Sequence, residues 1–180
     1  YLWRTSPSVA WDKTKDIGLV PLRDLEITKV AADNQTDKVE GATFKVYGPY
    51  DDAEKEWQES DNYQLLVTGN TGIASMNDLL WFKEYVIVEV DPTEVDKADN
   101  GYEADSATTI IKADEITAWT DGDGKETGRW ILNVPASNAT VGEAVKATLT
   151  VSNVRETTDS LTITKKLTGG NKTLAANMFS

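Results

Sequence analysis

An all-β fold, an antiparallel sandwich or barrel-like sandwich, is what the sequence predicts, on three observations. Short runs alternate apolar and polar residues with period two, turn-forming residues bound most of these runs, and helical periodicity is nearly absent. The first run, Leu25-Glu26-Ile27-Thr28-Lys29-Val30, alternates from end to end. Ala42-Thr43-Phe44-Lys45-Val46-Tyr47 follows, introduced by Gly41 and ended by Gly48-Pro49. Tyr63-Gln64-Leu65-Leu66-Val67 is closed by Thr68-Gly69-Asn70-Thr71-Gly72, a turn by composition. Tyr85-Val86-Ile87-Val88-Glu89-Val90 is rich in β-branched residues and stops at Asp91-Pro92. Ala107–Ile111 is a further strand. Ile116–Trp119 and Arg129–Val134 flank Asp121-Gly122-Asp123-Gly124 and read as a hairpin, and Ala147–Val154 closes the set. Only Asp51–Asp61 invites a helix, short and capped by Asp51 or Asp52. With Trp57 as its single apolar anchor, an acidic loop fits that segment equally well.

Composition removes most catalytic chemistry. The 180 residues carry 18 basic and 30 acidic side chains, a net charge of −12, and neither cysteine nor histidine. A chain this acidic repels phosphates, so nucleic acid and anionic membranes are not expected partners. Without cysteine there is no disulfide, thiol nucleophile or thiolate metal site, and without histidine no Ser-His-Asp triad or His-ligated zinc. No metal and no cofactor is expected. Asp121–Gly124 lacks the ligand spacing of a calcium loop and reads as a turn. No apolar run approaches membrane-spanning length, and Tyr1–Ser6 has no signal-peptide architecture. The apolar stretch ending at Ser180 reads as part of a longer chain.

Three polar residues stand where apolar ones are expected. Lys29 is in phase with Leu25 and Ile27, Glu89 with Tyr85 and Ile87, and Asn153 with Leu149 and Val151. Period two does not say which face is buried, and charged groups are almost never fully buried unless paired, so a solvent-facing reading stands beside a core-facing one. In the core-facing reading the first and last strands are neighbours, and an amine, a carboxamide and a carboxylic acid meet in a dry interior. Burial lowers the pKa of an amine and raises that of an acid. A neutral Lys29 would then be a nucleophile toward the Asn153 amide, with Glu89 relaying protons. The product would be a Lys29–Asn153 isopeptide bond. Lys45, out of phase with Phe44 and Val46, is the nearest rival amine and is assigned to solvent.

These residues, with Gly41-Ala42-Thr43-Phe44-Lys45-Val46-Tyr47, Tyr85-Val86-Ile87-Val88-Glu89, Pro92, Gly101-Tyr102 and Val151-Ser152-Asn153, resemble the Cna-B-type domains of Gram-positive surface adhesins and pilin subunits. The resemblance covers about residues 22–156. It implies an immunoglobulin-like antiparallel β-sandwich with Lys29 and Asn153 as cross-link partners and Glu89 as the catalytic residue of isopeptide formation. Two departures from the pattern are the eight residues between Pro92 and Gly101-Tyr102 and an elongated hairpin region over residues 113–146. The implied function is a non-enzymatic structural module of an adhesin or pilus subunit, located outside the cell on the cell wall. Its implied partners are neighbouring domains of the same chain, other pilin subunits joined by sortase, and a host extracellular-matrix ligand.

The expected organisation is a preceding domain's end or linker over residues 1–20, the module over 21–156, and the first strand or strands of a following domain over 157–180. Leu161-Thr162-Ile163-Thr164-Lys165 echoes Leu25–Lys29, which places Lys165 as the cross-link lysine of that next domain. Two other function classes stay open. The 6 tryptophans would suit a host-protein- or carbohydrate-binding sandwich without a cross-link, although core packing accounts for most of them more simply. Paired carboxylates would suit a glycoside hydrolase, but no spacing pairs them.

Overall fold

The computed structural model describes residues 23–134 and 145–156. The predicted segments 1–20 and 157–180, with Lys165, Trp3 and Trp11, lie outside the described residues.

Among the described residues, nine strands build two sheets. They are β1 (Arg23–Ala31), β2 (Thr43–Tyr50), β3 (Tyr63–Val67), β4 (Ile73–Leu79), β5 (Lys83–Val90), β6 (Thr108–Lys112), β7 (Ile116–Thr120), β8 (Glu126–Val134) and β9 (Val145–Asn153). One sheet has the order β4-β1-β9-β6 and the other β3-β2-β5-β8-β7. The period-two patterning works as expected: Leu25 and Ile27 point into the space between the sheets, while Glu26 and Thr28 on the same strand are partly exposed. Phe44, Ile87, Trp130, Leu132 and Leu149 fill that space. The Trp130 indole N–H is satisfied there by the Thr109 hydroxyl at 2.8 Å.

Among the described residues, all strand pairings are antiparallel except one. β1 and β9 run parallel and in register over nine residue pairs, from Arg23 opposite Val145 to Ala31 opposite Asn153. A parallel pair needs a long crossover, and here nearly the whole module is the crossover.

Residues Ile116–Thr120 and Glu126–Val134, the predicted hairpin, supply two strands of the five-stranded sheet. Their turn is organised by Asp121, whose Oδ1 accepts from the backbone N–H groups of Asp123 at 3.0 Å and Lys125 at 2.9 Å. The loop after β5 does not disturb its register, since β5 pairs with β2 up to Thr43 opposite Val90. Asp91 accepts from Thr93 N–H at 2.8 Å and starts a single 3-10 turn over Pro92–Val95, which absorbs the extra length.

The acidic segment is a one-turn helix, α1 (Ala53–Glu56), capped by Asp52. It lies on the outer face of the five-stranded sheet. Trp57 packs edge-on against Tyr47 and Trp119, with ring centroids 5.6 Å apart in both pairs. The Arg129 guanidinium covers Trp57 at 5.3 Å. The Trp57 ring thus packs against a small second core of Tyr47, Ala53 and Val86.

Strand β4 has no counterpart in the sequence reading. Its inward residues are only Ala74, Met76 and Leu79, and Ile73 faces outward. Asp78 has a φ of 63°, and the pairing with β1 shifts between Arg23 and Leu25, so the apolar spacing breaks within the strand. As an edge strand it needs only one sparsely apolar face.

Gly72 fixes how β4 meets β1. Its φ is 69°, its carbonyl accepts from Lys29 N–H at 2.7 Å, and an added Cβ would sit 2.8 Å from the Lys29 carbonyl oxygen. Gly72→Ala is expected to cost about 2 kcal/mol. It should appear as a lower urea midpoint with an unchanged slope. Gly122→Ala, where nothing lies within 4 Å of the added Cβ, should leave the midpoint in place.

Candidate functional site

The three sequence-predicted residues come together inside the sandwich. Lys29 reaches the site from β1, Asn153 from β9 and Glu89 from β5 in the facing sheet. Lys29 sits opposite Val151 across the parallel ladder, and Asn153 lies two residues further on the same inner face. That offset suits a long lysine side chain leaning along its strand toward a short asparagine.

Lys29 is 0% exposed, Asn153 1%, and the Glu89 side chain 3%. Lys29 Nζ donates to Glu89, 2.9 Å from Oε2 and 2.8 Å from Oε1, and also donates to Asn153 Oδ1. Asn153 Nδ2 donates to Glu89 Oε1 at 2.9 Å. Each polar group has a partner, as a buried polar cluster requires. The backbones are fixed as well: Val39 N–H donates to Lys29 O at 3.1 Å, and Ala32 N–H to Asn153 O at 2.9 Å.

Burial dominates the electrostatics. Loss of solvation pulls the Lys29 amine down to about 8, against the Glu89 charge, which acts to keep it protonated. The same desolvation pushes Glu89 above the usual carboxylate range, opposed by Lys29 and by its hydrogen bonds. The two shifts run in the directions that favour a neutral amine beside a protonated acid. Apart from the geometry itself, this is what nucleophilic attack on a carboxamide needs.

Lys45 lies on the other face of β2, its Nζ 5.0 Å over the Tyr63 ring. Among the described residues no group of three or more acidic side chains is placed to hold a metal ion, and no helix is long and apolar enough to cross a membrane. Two neighbours of the site were not assigned a role by the sequence. Arg155 was not singled out, and Tyr102 entered only as part of a motif. Both lie in loops, where period-two patterning carries no signal.

No family model matches the chain, and no curated protein matches it. Solved structures do. The Bacillus anthracis TIE protein aligns at 20% identity and a TM-score of 0.41, over 75% of this chain and 17% of that one. The group B streptococcus pilus 2b backbone protein aligns at 18% identity and 0.40, over 74% and 41%. An adhesin from Mobiluncus mulieris containing intramolecular disulfide, isopeptide and ester bond cross-links aligns at 11% identity and 0.45, over 74% and 41%. The chain therefore matches less than half the length of each of these proteins.

The buried pair leaves a mark on stability against pH. Unfolded, Lys29 titrates near 10.5, and folded near 8. Between those values the unfolded chain holds the extra proton, so stability rises with pH. Glu89 acts in the opposite sense, costing stability as pH climbs from 4.5 to its raised folded value. In an Asn153→Ala chain, which keeps both titrating groups, the urea midpoint should rise between about pH 8 and about pH 9.5 relative to Asn153→Ala/Lys29→Met. Parallel curves for the two variants would show that Lys29 is not titrating in a dry core.

Proposed function

We propose that this chain is a structural module of a bacterial cell-surface adhesin or pilus subunit, and that its sandwich is closed by an isopeptide bond it forms for itself between Lys29 and Asn153. One observation carries the reading: an amine, a carboxamide and a carboxylic acid meet, fully desolvated and mutually hydrogen-bonded, between the first and last strands.

The chemistry balances without a cofactor. Rotation of the Asn153 amide turns its carbonyl oxygen toward protonated Glu89, which polarises Cγ. Neutral Lys29 Nζ attacks Cγ. Glu89 takes a proton from the attacking nitrogen and delivers one to Nδ2. The Cγ–Nδ2 bond breaks, the Nζ–Cγ bond remains, and ammonia leaves. The reactants are consumed once, so this is maturation and not turnover. Folding precedes it, because only the packed core makes the amine neutral and the acid protonated together.

The topology gives the bond a mechanical purpose. Parallel pairing puts the start of β1 and the end of β9 at opposite ends of the module. Tension between neighbouring domains would enter at Arg23, run along β1 to Lys29, cross to Asn153 and leave. The residues between Lys29 and Asn153 are then shielded from load. The partners that fit this arrangement are neighbouring domains of the same chain and other subunits of a surface polymer.

The wild-type chain should be lighter than its sequence by one ammonia. The Asn100-Gly101 step can also shed ammonia through a backbone imide, so the bond is to be identified as the cross-linked peptide joining Lys29 to Asn153. Glu89→Ala, its near-isostere Glu89→Gln, and Lys29→Ala should each keep the full mass. The residues joined are 124 apart, and a cross-link closing such a loop stabilises by about 5 kcal/mol in the chain-entropy picture. Calorimetry should therefore place the wild type well above every uncross-linked variant. A wild-type chain that keeps its full mass overturns the reading.

A further inference from the structure

Resting on that reading, we propose that Arg155 and Tyr102 form a clasp that seals the end of the sandwich over Lys29, Glu89 and Asn153, and that this seal sets the rate of bond formation. Arg155 follows Asn153 by two residues. Its guanidinium lies 5.3 Å from the centroid of the Tyr102 ring, whose other contacts are with the main core. The same guanidinium donates to Asp37, and its Nε lies 3.3 Å from Asp33 Oδ2. Asp33 and Asp37 belong to the connection that leaves β1 just beyond Lys29.

The backbone around this clasp is knotted together. Glu103 N–H donates to Val154 O at 3.0 Å, Glu156 N–H to Gly101 O at 2.9 Å, and Val154 N–H to the Ser106 hydroxyl at 2.8 Å. Tyr102 pairs with Arg155 in an isolated bridge. The segment then continues through Ala104–Ser106, which packs against β5, β8 and β9. One side chain thus ties together the exits of β1 and β9 and the loop that passes the end of β5, and these three strands carry the three reactants.

Arg155 is half exposed, and exposed ion pairs contribute little to global stability. The seal acts on water instead. Solvent entering this end would let the amine and the acid return toward their ordinary values. The reactive form, neutral amine beside protonated acid, then becomes rarer by about tenfold for each unit by which the two pKa values separate. Lys29 faces Glu89 as its charged neighbour on β5, neutral Val151 and Asn153 on β9, and Gly72 on the β4 side. Asp33, Asp37 and Arg155 stand at the rim, paired with one another. Arg155 is therefore a positioning residue that acts through the dryness of the site.

Cell-free synthesis followed by timed quenching measures the seal, with the Lys29–Asn153 peptide counted at each time. Arg155→Ala and Tyr102→Ala should each slow formation at neutral pH about tenfold or more, while Tyr102→Phe, which keeps the ring, should react at the wild-type rate. Asp33→Asn/Asp37→Asn serves as a second variant should either alanine chain fail to fold, and should also slow the reaction. The bell-shaped pH–rate profile of Arg155→Ala should have a lower plateau and both limbs moved outward, the acid limb to lower pH and the alkaline limb to higher pH. In a Lys29→Met background, Arg155→Ala should leave the urea midpoint nearly unchanged. Wild-type rates in both alanine variants, or slower formation with unmoved limbs, overturn the clasp. A wild-type chain that never forms the bond overturns the parent reading and the clasp with it, so the wild-type trace separates the two failures.

Discussion

The parallel, in-register pairing of β1 with β9 is the constraint on which the rest of this structure depends. It joins residues from opposite ends of the module and sets their side chains on one inner face, with Asn153 opposite Ala31 and Lys29 opposite Val151. A shift of one residue would turn either Lys29 or Asn153 to the outer face, because side chains alternate along a strand. The ladder is long, and buried Leu25, Ile27, Ala147 and Leu149 pin its register. Most of the apolar free energy of the β1–β9 interface thus also specifies which polar groups meet.

Burying an ion pair is seldom a good way to stabilise a fold. The desolvation of two charges often exceeds their attraction, and apolar residues of similar volume commonly do as well or better. Lys29 and Glu89 are such a buried pair, inside a core otherwise made of apolar side chains. Their ordinary acid–base behaviour is strained in opposite directions by the same dry surroundings, the amine downward and the acid upward. Opposed shifts of this kind are what the proposed chemistry requires. Conversion of the pair into an amide and a carboxyl would remove one charge-bearing group from the core and relieve part of that cost.

The two faces of the five-stranded sheet divide the work. The inner face holds Phe44, Ile87, Trp130 and Glu89 against the other sheet. The outer face is covered by the one-turn helix and by Trp57, stacked among Tyr47, Trp119 and Arg129. That covering stiffens the sheet carrying Glu89. Trp57 and Trp119, two of the tryptophans that a ligand-binding surface would have used, are engaged in this packing.

By itself the sequence determined the two-sheet class, eight of the nine strands among the described residues, and the shared phase of Lys29, Glu89 and Asn153 with apolar neighbours, because each of these is written in local alternation and in turn residues beside it. β4 escaped, since an edge strand with a broken apolar spacing leaves almost no period to read. Patterning could not choose between a solvent-facing and a core-facing lysine, because period two names a face without naming its side. Only the tertiary structure decided that β1 and β9 are adjacent and parallel, that Glu89 projects from the facing sheet onto both, and that Arg155 lies over the Tyr102 ring. These are contacts between residues far apart in the chain, and their energies come from desolvation and packing that exist only once the sheets have closed.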